Sequence, residues 1–375
     1  MNKSKDTPRI LHIGKFYPPS RGGIEVLMEQ TLLGLRDYGA SVSGLVFNEG
    51  KTDTVVEDCD GIPITRLGTA FNLTGSPISL SMVRYLRNSD ADIVHLHWPN
   101  PFALLAFLVS GCRAKLVFAH HSDIIRQKTL GLLFSPFLIA GLRRASSVVV
   151  TSKAMIDASP YLRPFRHKCT CIPYGIDVPP PSFTQLEQAK EIRRTYSGPI
   201  ILSVGRLVYY KGFAHGIRAM QGLEGTLLIV GEGPLCNELK RLSNQSGIRG
   251  KVLFLGKIND IRPYYLAADV FVLPSVARSE GFGIVQLEAM ADSVPVVNTW
   301  LPSTVPIVSL HERTGLTVNP ADSNALAEAI RTILADSGLG RKYGRAGKLR
   351  YQTKFHVNSM IKKTHRLYLS IYNFS

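Results

Sequence analysis

Two series of short hydrophobic segments, separated by a run of prolines, constrain the fold of this chain more than any other feature. The segments are rich in β-branched residues and alternate with stretches whose apolar residues recur at helical spacing. The first series is Arg9–Phe16, Val42–Phe47, Ile64–Leu67, Asp92–His97, Lys115–His121 and Ser147–Thr151, and the second is Pro199–Arg206, Thr226–Gly231, Val252–Gly256, Asp269–Pro274 and Pro295–Asn298. This alternation is typical of parallel β-sheets built from βαβ units.

The prolines of Val178–Ser182 mark a boundary between the two series, because neither a helix nor a central strand continues through them. A chain of 375 residues also exceeds the usual span of one hydrophobic core. We therefore predict an α/β protein with two Rossmann-like, doubly wound domains, residues 1–180 and 181–355. A terminal helix, within residues 356–375, is expected to return to the first domain. Ligands of such sheets bind beyond the carboxyl ends of the strands, so we expect a site in the interdomain cleft.

The composition is that of a folded chain in a reducing compartment. Hydrophobic residues make up 45% and charged residues 19%, which argues against long disordered segments. The five cysteines lack CxxC spacing, and Met1–Thr7 is polar rather than the core of a signal peptide. The most apolar helical stretch, Leu130–Leu142, has 13 residues, whereas a bilayer requires about 20. We expect a cytoplasmic protein in which this stretch is either a core helix or an interfacial one.

A surplus of basic residues predicts an anionic partner. The formal net charge is +16, and Arg331–Arg366 holds ten Lys or Arg but a single acid, Asp336. Nucleic acid and an anionic membrane both carry the complementary charge. The basic residues are not interleaved with aromatic residues and form no recognised nucleic-acid-binding module, so we expect no nucleic acid. Membrane attraction and a solvated helix face are the remaining interpretations.

Glycines and basic residues follow several predicted strands, where they would face a ligand. Gly22 and Gly23 precede a helix, whose free backbone N–H groups suit an anion. Arg206 and Lys211 lie in the loop after the first strand of the second series and are placed to hold a diphosphate. Each feature also has a plainer interpretation, as a tight turn or as a surface pair of cations.

Two later strand ends carry further candidates. Gly231 and Gly233 form a tight turn in which the backbone would approach a base or a ribose closely. The segment Arg278–Ala291 places Glu280 and Glu288 eight residues apart. Eight residues return to nearly the same face of a helix, which would align both carboxylates along one ligand. A glutamate within an apolar helix needs a polar partner, and sugar or ribose hydroxyls would supply it.

With these residues assembled, the chain resembles the family 4 glycosyltransferases over nearly its whole length. The residues that carry the resemblance are Glu280 and Glu288 for the E-x7-E signature, Arg206 and Lys211 for the phosphate clamp, and Gly22 and Gly23 for the N-terminal glycine loop. The resemblance implies a GT-B fold and the transfer of a sugar from a nucleotide sugar with retention of anomeric configuration. The segments His121–Lys128 and Glu280–Ala291 are most similar to bacterial mannosyltransferases of surface-polysaccharide assembly.

The same resemblance assigns roles to individual residues. His121 would lie close to the transferred sugar, with adjacent His120 as the alternative, and His97 and His120 are the acceptor-side candidates. The implied catalytic residues are His121, Glu280, Arg206 and Lys211, and the implied donor-binding residues are Gly22, Gly23, Gly231, Gly233, Gly281, Phe282, Gly283 and Glu288. In these roles the cations stabilise the departing diphosphate, and Glu288 holds the ribose hydroxyls.

GDP-mannose is the donor that the resemblance favours, and a lipid-linked saccharide or polysaccharide precursor is the favoured acceptor. A UDP-hexose or UDP-N-acetylhexosamine stays open, because the choice of sugar depends on a few pocket side chains. The family implies no metal and no other cofactor. Asp58-Cys59-Asp60 imitates the DxD motif of metal-dependent transferases, but we expect it to be a solvated turn in a polar loop.

Two other functions are compatible with this architecture, a nucleotide-sugar epimerase and a non-catalytic sugar-nucleotide binding protein. The E-x7-E pattern argues against the first, and the presence of both glutamates and both cations argues against the second. We also expect peripheral association with the inner face of the cell membrane. The candidate surfaces are Leu130–Leu142, with Arg126, Lys128, Arg143 and Arg144 at its ends, and the basic segment Arg331–Arg366.

Overall fold

The chain forms two compact units. The structure, a computed structural model, describes residues 7–20, 22–69, 71–73, 76–123, 128–245 and 247–373. Unit 1 combines Met1–Asp177 with His356–Ser375, and unit 2 is Val178–Phe355. The chain therefore leaves unit 1 at the proline run and returns to it through its last helix.

Strands and helices alternate in both units. The strands of unit 1 are β1 (Arg9–Ile13), β2 (Ser41–Phe47), β3 (Val55–Cys59), β4 (Ile62–Leu67), β5 (Phe71–Leu73), β6 (Ser76–Ile78), β7 (Ile93–Trp98), β8 (Lys115–His120), β9 (Ala145–Val150) and β10 (Cys169–Cys171). Its first helices are α1 (Gly23–Asp37), α2 (Ser81–Arg87), α3 (Pro101–Ser110), α4 (Lys128–Arg144) and α5 (Lys153–Ala158).

Unit 2 repeats the pattern. Its strands are β11 (Ile200–Val204), β12 (Thr226–Val230), β13 (Val252–Gly256), β14 (Val270–Val272), β15 (Val296–Thr299) and β16 (Gly315–Val318). Its helices are α6 (Phe183–Thr195), α7 (Phe213–Ala219), α8 (Cys236–Gln245), α9 (Arg262–Ala267), α10 (Val285–Ala291), α11 (Val305–Val308), α12 (Ser323–Ala335) and α13 (Ser337–Arg350), after which α14 (Val357–Asn373) belongs to unit 1.

The main sheet of unit 1 is almost entirely parallel. In the described part of the chain it has eight strands in the order β10-β9-β8-β7-β1-β2-β4-β3, and only the edge strand β3 runs antiparallel to its neighbour. All six residues of β7 are buried. Continuous burial is typical of a parallel strand covered on both faces. The strand order reverses between β1 and β7, so ligand-binding loops are expected beyond the carboxyl ends of these strands.

The hairpin of β3 and β4 corrects the interpretation of Asp58-Cys59-Asp60 as part of a polar loop. Asp58 and Cys59 end strand β3, and the turn consists of Asp60 and Gly61, with φ of 54° and 78°. The Asp58 carboxylate accepts a 2.6 Å hydrogen bond from the Gly61 N–H. An Asp-Gly pair favours a two-residue turn with positive φ at both positions. The acidic residues therefore shape a hairpin.

The sheet of unit 2 has the doubly wound order. Among the described residues it comprises six parallel strands, β13-β12-β11-β14-β15-β16. Every residue of β11 and β12 is buried. The order reverses between β11 and β14, so the loops that follow these two strands lie where doubly wound sheets bind ligands.

Helix α14 is part of the core of unit 1. Ile361 and Tyr368 are fully buried, and a Cβ at Gly34 of α1 would lie 2.6 Å from Ile361 Cγ1. The Lys115 ammonium also donates a 2.6 Å hydrogen bond to the carbonyl oxygen of Ile371. The last helix thus packs against α1 and is joined to β8, although more than 200 residues separate it from both in sequence.

Candidate active site

A buried ion pair lies where the strand order of unit 2 reverses. Lys211 follows β11 and Glu280 follows β14, and Lys211 Nζ is 2.6 Å from Glu280 Oε2. The two side chains are only 11% and 9% exposed. Ser275 Oγ donates a longer, 3.3 Å hydrogen bond to the same carboxylate oxygen. Two predicted site residues from different loops therefore meet at the expected edge of the sheet.

A glycine allows these two loops to approach. Gly212 has a φ of +67°, and a Cβ at this position would lie 2.0 Å from the carbonyl oxygen of Pro274. The Val276 N–H donates a 2.8 Å hydrogen bond to the Tyr210 carbonyl oxygen and ties the same loops together. Only glycine combines a positive φ with such a close backbone contact at little cost.

Tyr210 lies among the predicted charged residues. Burial raises the pKa of Tyr210, the Glu280 carboxylate raises it further, and the Lys211 and Arg206 cations lower it. All three charges therefore act on one phenol. Arg206 itself is exposed on the loop after β11, so its guanidinium is accessible to a ligand.

Glu288 has a different environment. It lies on α10, and its Oε2 accepts a 2.6 Å hydrogen bond from the hydroxyl of Tyr265 on α9. Burial raises the pKa of Glu288, the Tyr265 hydrogen bond opposes this, and Asp292 adds to it. Lys211 also lowers the pKa of Glu288, which places this carboxylate within electrostatic range of the ion pair.

The expectation that the two glutamates share one helix face is wrong. Helix α10 begins only at Val285, so Glu280 lies in the preceding loop. Gly283 in this loop has a φ of +72°, a conformation that ends helical geometry. Glu280 is placed by its ion pair with Lys211 instead of by helical periodicity.

The loop between the glutamates is packed into unit 2. The ring of Phe282 is 3% exposed and meets Phe355 edge-on, with 5.9 Å between ring centroids. The carbonyl oxygen of Gly281 accepts a 2.9 Å hydrogen bond from the Thr304 N–H. If Phe282 contacts the nucleotide sugar, it would therefore do so through its backbone.

Gly231 and Gly233 bring the loop after β12 close to the loop that carries Arg206. A Cβ at Gly231 would lie 2.1 Å from the Gly205 carbonyl oxygen, and one at Gly233 would lie 2.5 Å from the Leu207 carbonyl oxygen. Both glycines are therefore required for packing in unit 2. Their contact with a donor stays a prediction.

In unit 1, Gly22 caps helix α1, which begins at Gly23. The Glu25 carboxylate lies beside this cap, since a Cβ at Gly22 would be 2.4 Å from Glu25 Oε2. Burial raises the pKa of Glu25, while its own backbone N–H lowers it. A phosphate at this N-terminus would meet a carboxyl group that the glycine pattern does not reveal.

Four buried histidines and two tyrosines form a hydrogen-bonded chain in unit 1, here named the histidine network. Its members, in bonded order, are His95, Tyr368, His12, His97, His121 and Tyr174. His97 Nδ1 is 2.9 Å from His121 Nε2, and His97 Nε2 is 3.1 Å from His12 Nδ1. Two of the predicted residues, His97 and His121, are therefore in direct contact.

The four histidines of the network are buried and uncharged. Burial lowers the pKa of His97 to about 4 and holds those of His12, His95 and His121 well below the usual value. Neutral imidazoles are the forms that both donate and accept hydrogen bonds. The network consequently depends on where each ring carries its single proton.

His120 lies apart from this network. Its Nε2 is 3.2 Å from Asp123 Oδ1, which also accepts a 2.9 Å hydrogen bond from Ser159 Oγ. Neither His120 Nδ1 nor the indole nitrogen of neighbouring Trp98 has a hydrogen-bond partner among the described residues. Adjacent residues at a strand end point to opposite faces. Of the two alternatives, His121 is the one that contacts His97.

Nitrogen atoms of His12, His95 and His97 lie within 4.8 Å of one another, as they would around a metal ion. The rings of His12 and His95 are stacked, however, with 4.4 Å between centroids and 3° between planes. Lone pairs lie in the plane of an imidazole, so two parallel stacked rings do not converge on one ion. The hydrogen bonds of the histidine network explain this cluster better than metal ligation.

The sequence matches two descriptions of known families. "Glycosyltransferase Family 4" covers residues 21–179, and "Glycosyl transferases group 1" covers residues 185–350. The D-rhamnosyltransferase WbpZ of Pseudomonas aeruginosa is 32% identical over 356 residues, which are 92% of each chain. The chain belongs to the family 4 glycosyltransferases. This confirms the resemblance drawn from the glutamate, cation and glycine motifs.

Other relatives of this family 4 glycosyltransferase transfer mannose. The O-antigen chain mannosyltransferase C of Escherichia coli is 29% identical and covers 97% of this chain and 98% of its own. A GDP-mannose-dependent alpha-(1-6)-phosphatidylinositol monomannoside mannosyltransferase of Mycobacterium tuberculosis is 26% identical and covers 91% and 92%.

Solved structures confirm the predicted GT-B fold of this family 4 glycosyltransferase. Sucrose-phosphate synthase from Thermosynechococcus elongatus superposes with a TM-score of 0.79, at 24% identity over 98% of this chain and 100% of its own. Anabaena HepE in complex with UDP superposes with a TM-score of 0.78, at 19% identity over 96% and 100%. The two parallel-sheet α/β units are those expected from the sequence.

Sequence reasoning missed several residues around the site of this family 4 glycosyltransferase. Tyr265, Tyr174 and Tyr368 supply hydroxyls to Glu288, to His121 and to two further histidines. The motif Asp92–Trp98 indicates part of the histidine network, because His95 and His97 are two residues apart and therefore lie on the same face of a strand. The tyrosines have no local signal, since each lies on another element.

Proposed function

We propose that this glycosyltransferase moves a hexose, with mannose from GDP-mannose as the leading donor, to a lipid-linked saccharide or polysaccharide precursor with retention of anomeric configuration. The observation that carries this proposal is the buried pair of Lys211 and Glu280 at the reversal point of the unit 2 sheet. It is supported by relatives whose names specify mannosyl transfer and O-antigen assembly.

The choice of sugar is supported by what two relatives have in common. One is named a mannosyltransferase and the other a D-rhamnosyltransferase. D-Rhamnose is mannose without its 6-hydroxyl, so both sugars have an axial 2-hydroxyl. A pocket selected for this hydroxyl discriminates through a hydrogen bond that an equatorial epimer cannot make. We therefore place manno-configured sugars first and a UDP-linked hexose or N-acetylhexosamine second.

In this proposal the cations of unit 2 act on the leaving group. As the glycosidic bond breaks, negative charge grows on the diphosphate, and fixed positive charges in a dry site stabilise it. Lys211 is suited to this because its side chain is only 11% exposed. The exposed Arg206 would close on the distal phosphate, and Glu280 would hold Lys211 in place and contact the sugar. Glu288, supported by Tyr265, would hold the ribose hydroxyls.

In unit 1, His121 would orient the transferred sugar as a neutral imidazole. Both of its ring nitrogens have hydrogen-bond partners, His97 on one side and Tyr174 on the other. A sugar hydroxyl would therefore replace Tyr174 at His121 Nδ1. We propose that the reaction needs no divalent cation, and that chelation by EDTA leaves the rate unchanged.

Ligand-dependent unfolding of the full chain tests the donor class. The protein is melted with GDP, UDP, GDP-mannose and UDP-glucose at matched concentrations. A ligand present at a hundred times its dissociation constant stabilises the fold by about 2.7 kcal/mol. We expect the GDP compounds to stabilise and the UDP compounds to have little effect. Stabilisation by UDP alone would overturn the donor, and failure of every nucleotide would overturn the function.

We further propose peripheral attachment to an anionic membrane. Within the described residues, no helix has the length and apolarity to cross a bilayer. On α4, Leu138 and Leu142 are buried in the core of unit 1, whereas Phe137 is 38% exposed and Arg143 is exposed. This end of α4 therefore combines an accessible aromatic ring with a cation, as interfacial helices do. Arg126 and the rest of 124–127 lie outside the described residues.

A further inference from the structure

The histidine network joins the last helix of the chain to His121. On α14, the hydroxyl of Tyr368 lies 3.0 Å from His12 Nε2 and 2.6 Å from His95 Nδ1. From His12 the network continues through His97 to His121, which is three hydrogen bonds from Tyr368. Every member of this path is at most 8% exposed, so bulk water is largely excluded from it.

The ring tautomers along this path depend on one another. A neutral imidazole has one donor nitrogen and one acceptor nitrogen, and each ring uses both. If Tyr368 donates to His95, it accepts from His12 Nε2, and then His97 and His121 also carry their protons on Nε2. If Tyr368 donates to His12 instead, the three rings all carry them on Nδ1. One hydroxyl therefore selects a common tautomer.

We propose that Tyr368 is a positioning residue that fixes the tautomer of His121 through His12 and His97. The catalytic consequence rests on the proposed function, in which His121 orients the transferred sugar. The tautomer of a histidine decides whether it donates to or accepts from its ligand. A phenol on the C-terminal helix thus determines which hydrogen bond the sugar receives.

Packing alone does not account for the hydroxyl of Tyr368. Its ring meets those of His12 and His95 edge-on, at centroid distances of 6.2 and 5.8 Å, and phenylalanine would preserve these contacts. The oxygen, in contrast, lies between His12 Nε2 and His95 Nδ1 and is the atom through which these two nitrogens are connected. Removal of the oxygen takes this hydrogen bond from two buried ring nitrogens, which lowers the free energy of unfolding. The remaining hydrogen bonds of the network are then no longer held in one arrangement.

The decisive measurement is the tautomer of His121 in the full chain. The protein is labelled with ¹⁵N-histidine, and long-range ¹H–¹⁵N correlation spectra identify which nitrogen of each ring is protonated. His121→Gln identifies the His121 signals by their loss. We expect one common tautomer for His12, His97 and His121 in the unmodified protein, and a mixture or the opposite tautomer at His121 in Tyr368→Phe.

Thr364→Val is the matched control. Thr364 is buried on the same helix, and its hydroxyl donates a 2.9 Å hydrogen bond to Met360 within that helix, outside the network. This variant should leave the His121 signals unchanged. Should Tyr368→Phe not fold, His12→Asn interrupts the same path and carries the same expectation. Unchanged His121 signals in a folded network variant would overturn the proposal, whatever its activity.

Kinetics separate this proposal from the proposed function. If both hold, Tyr368→Phe lowers kcat, by up to about a hundredfold as for other misplaced catalytic groups, and leaves the KM of the donor unchanged. An altered tautomer with a normal kcat would support the positioning role of Tyr368 and remove His121 from the reaction. A parallel loss of kcat in Thr364→Val would indicate general damage to α14 and would contradict the role of Tyr368.

Discussion

At the scale of single residues, the two glutamates of the E-x7-E signature differ in their partners. Glu280 forms an ion pair with Lys211, whereas Glu288 accepts a hydrogen bond from the neutral phenol of Tyr265. Both partners come from other elements, so the signature identifies the carboxylates but not what holds them. The same limit applies to His121, whose contact with Tyr174 joins residues 53 positions apart.

Replacing Glu280 tests the ion pair most directly. Glu280→Gln keeps the shape of the side chain but leaves the Lys211 ammonium buried without a counter-charge. We expect kcat to fall by about 10²–10³, as when one contact to developing charge is lost. The measurement is the initial rate with GDP-mannose, with circular dichroism as a check of folding.

The control for this variant is Glu328→Gln. Glu328 pairs with Arg331 on the surface, with side-chain exposures of 67% and 49%. An exposed pair contributes about 0–1 kcal/mol, so the control should retain full activity. Equal activity of Glu280→Gln and Glu328→Gln would remove Glu280 from the site.

At the scale of elements, strands that are buried along their whole length could be predicted from the sequence. Strands that begin with glycine or lie at the edge of a sheet could not. The strands β7, β11 and β12 are continuously buried, and their predicted positions agree with the structure to within about a residue or two at each end. The sequence does not predict strand β16, because its first residue is Gly315 and strand patterns disfavour glycine. The structure requires glycine there, since a Cβ would lie 1.8 Å from the Val296 carbonyl oxygen of β15. Edge strand β3 carries acids, which strand patterns disfavour.

The approach of the loops after β11 and β14 depends on Gly212. In Gly212→Ala, the added Cβ would collide with the Pro274 carbonyl oxygen, and the positive φ adds strain. We expect a loss of at least about 2 kcal/mol in the free energy of unfolding, as for other changes at special backbone positions. Activity should fall with it, because the collision separates Lys211 from Glu280.

Gly247→Ala is the matched control for backbone strain. Gly247 has nearly the same φ, +68°, but no atom of the described residues lies within 4 Å of a Cβ at this position. Gly247→Ala should lower the free energy of unfolding by only about 1 kcal/mol, which is the cost of a left-handed conformation for alanine. Urea unfolding measures both variants. If the two lose the same stability, the contact with Pro274 does not constrain the loops.

At the scale of the whole molecule, the buried histidines make the stability of unit 1 sensitive to acid. Their pKa values are lowered in the folded state, so below about pH 6.5 the unfolded chain binds more protons than the folded one. Stability is therefore complete above this pH and lost as the pH falls towards 4. Each of these histidines adds to the loss, because the unfolded chain takes up a proton at that site that the folded chain does not.

Calorimetry between pH 7.5 and 5 measures this effect. We expect the transition of unit 1 to move to lower temperature as the pH falls. His12→Asn should make the dependence of this temperature on pH less steep, because one buried histidine is lost. His167→Gln, at an exposed position, should leave this slope unchanged. An identical slope in all three proteins would show that the network does not control acid stability.

The basic segment Arg331–Arg366 does not form one surface of one unit. Its residues up to Lys354 belong to unit 2, and Lys362, Lys363 and Arg366 lie on α14 of unit 1. Arg331 and Arg350 are also engaged, the first with Glu328 and the second with backbone carbonyl oxygens. The end of α4, with an exposed ring and an exposed cation on one element, is therefore the better candidate for membrane contact.

Co-sedimentation with vesicles tests the end of α4, and Arg143→Glu is the cleaner variant. Arg144 donates to the Ala114 carbonyl oxygen at 3.1 Å and lies over the Phe107 ring, so its replacement would also disturb packing. Near an anionic surface each charge contributes about 1 kcal/mol, so reversal at Arg143 should weaken partitioning more than tenfold at low salt. Lys257→Glu, an exposed cation of unit 2, controls for net charge and should bind as the unmodified protein does. Unmodified protein that stays in the supernatant with anionic vesicles would refute membrane attachment, and equal binding by Arg143→Glu would exclude α4 as the attached surface.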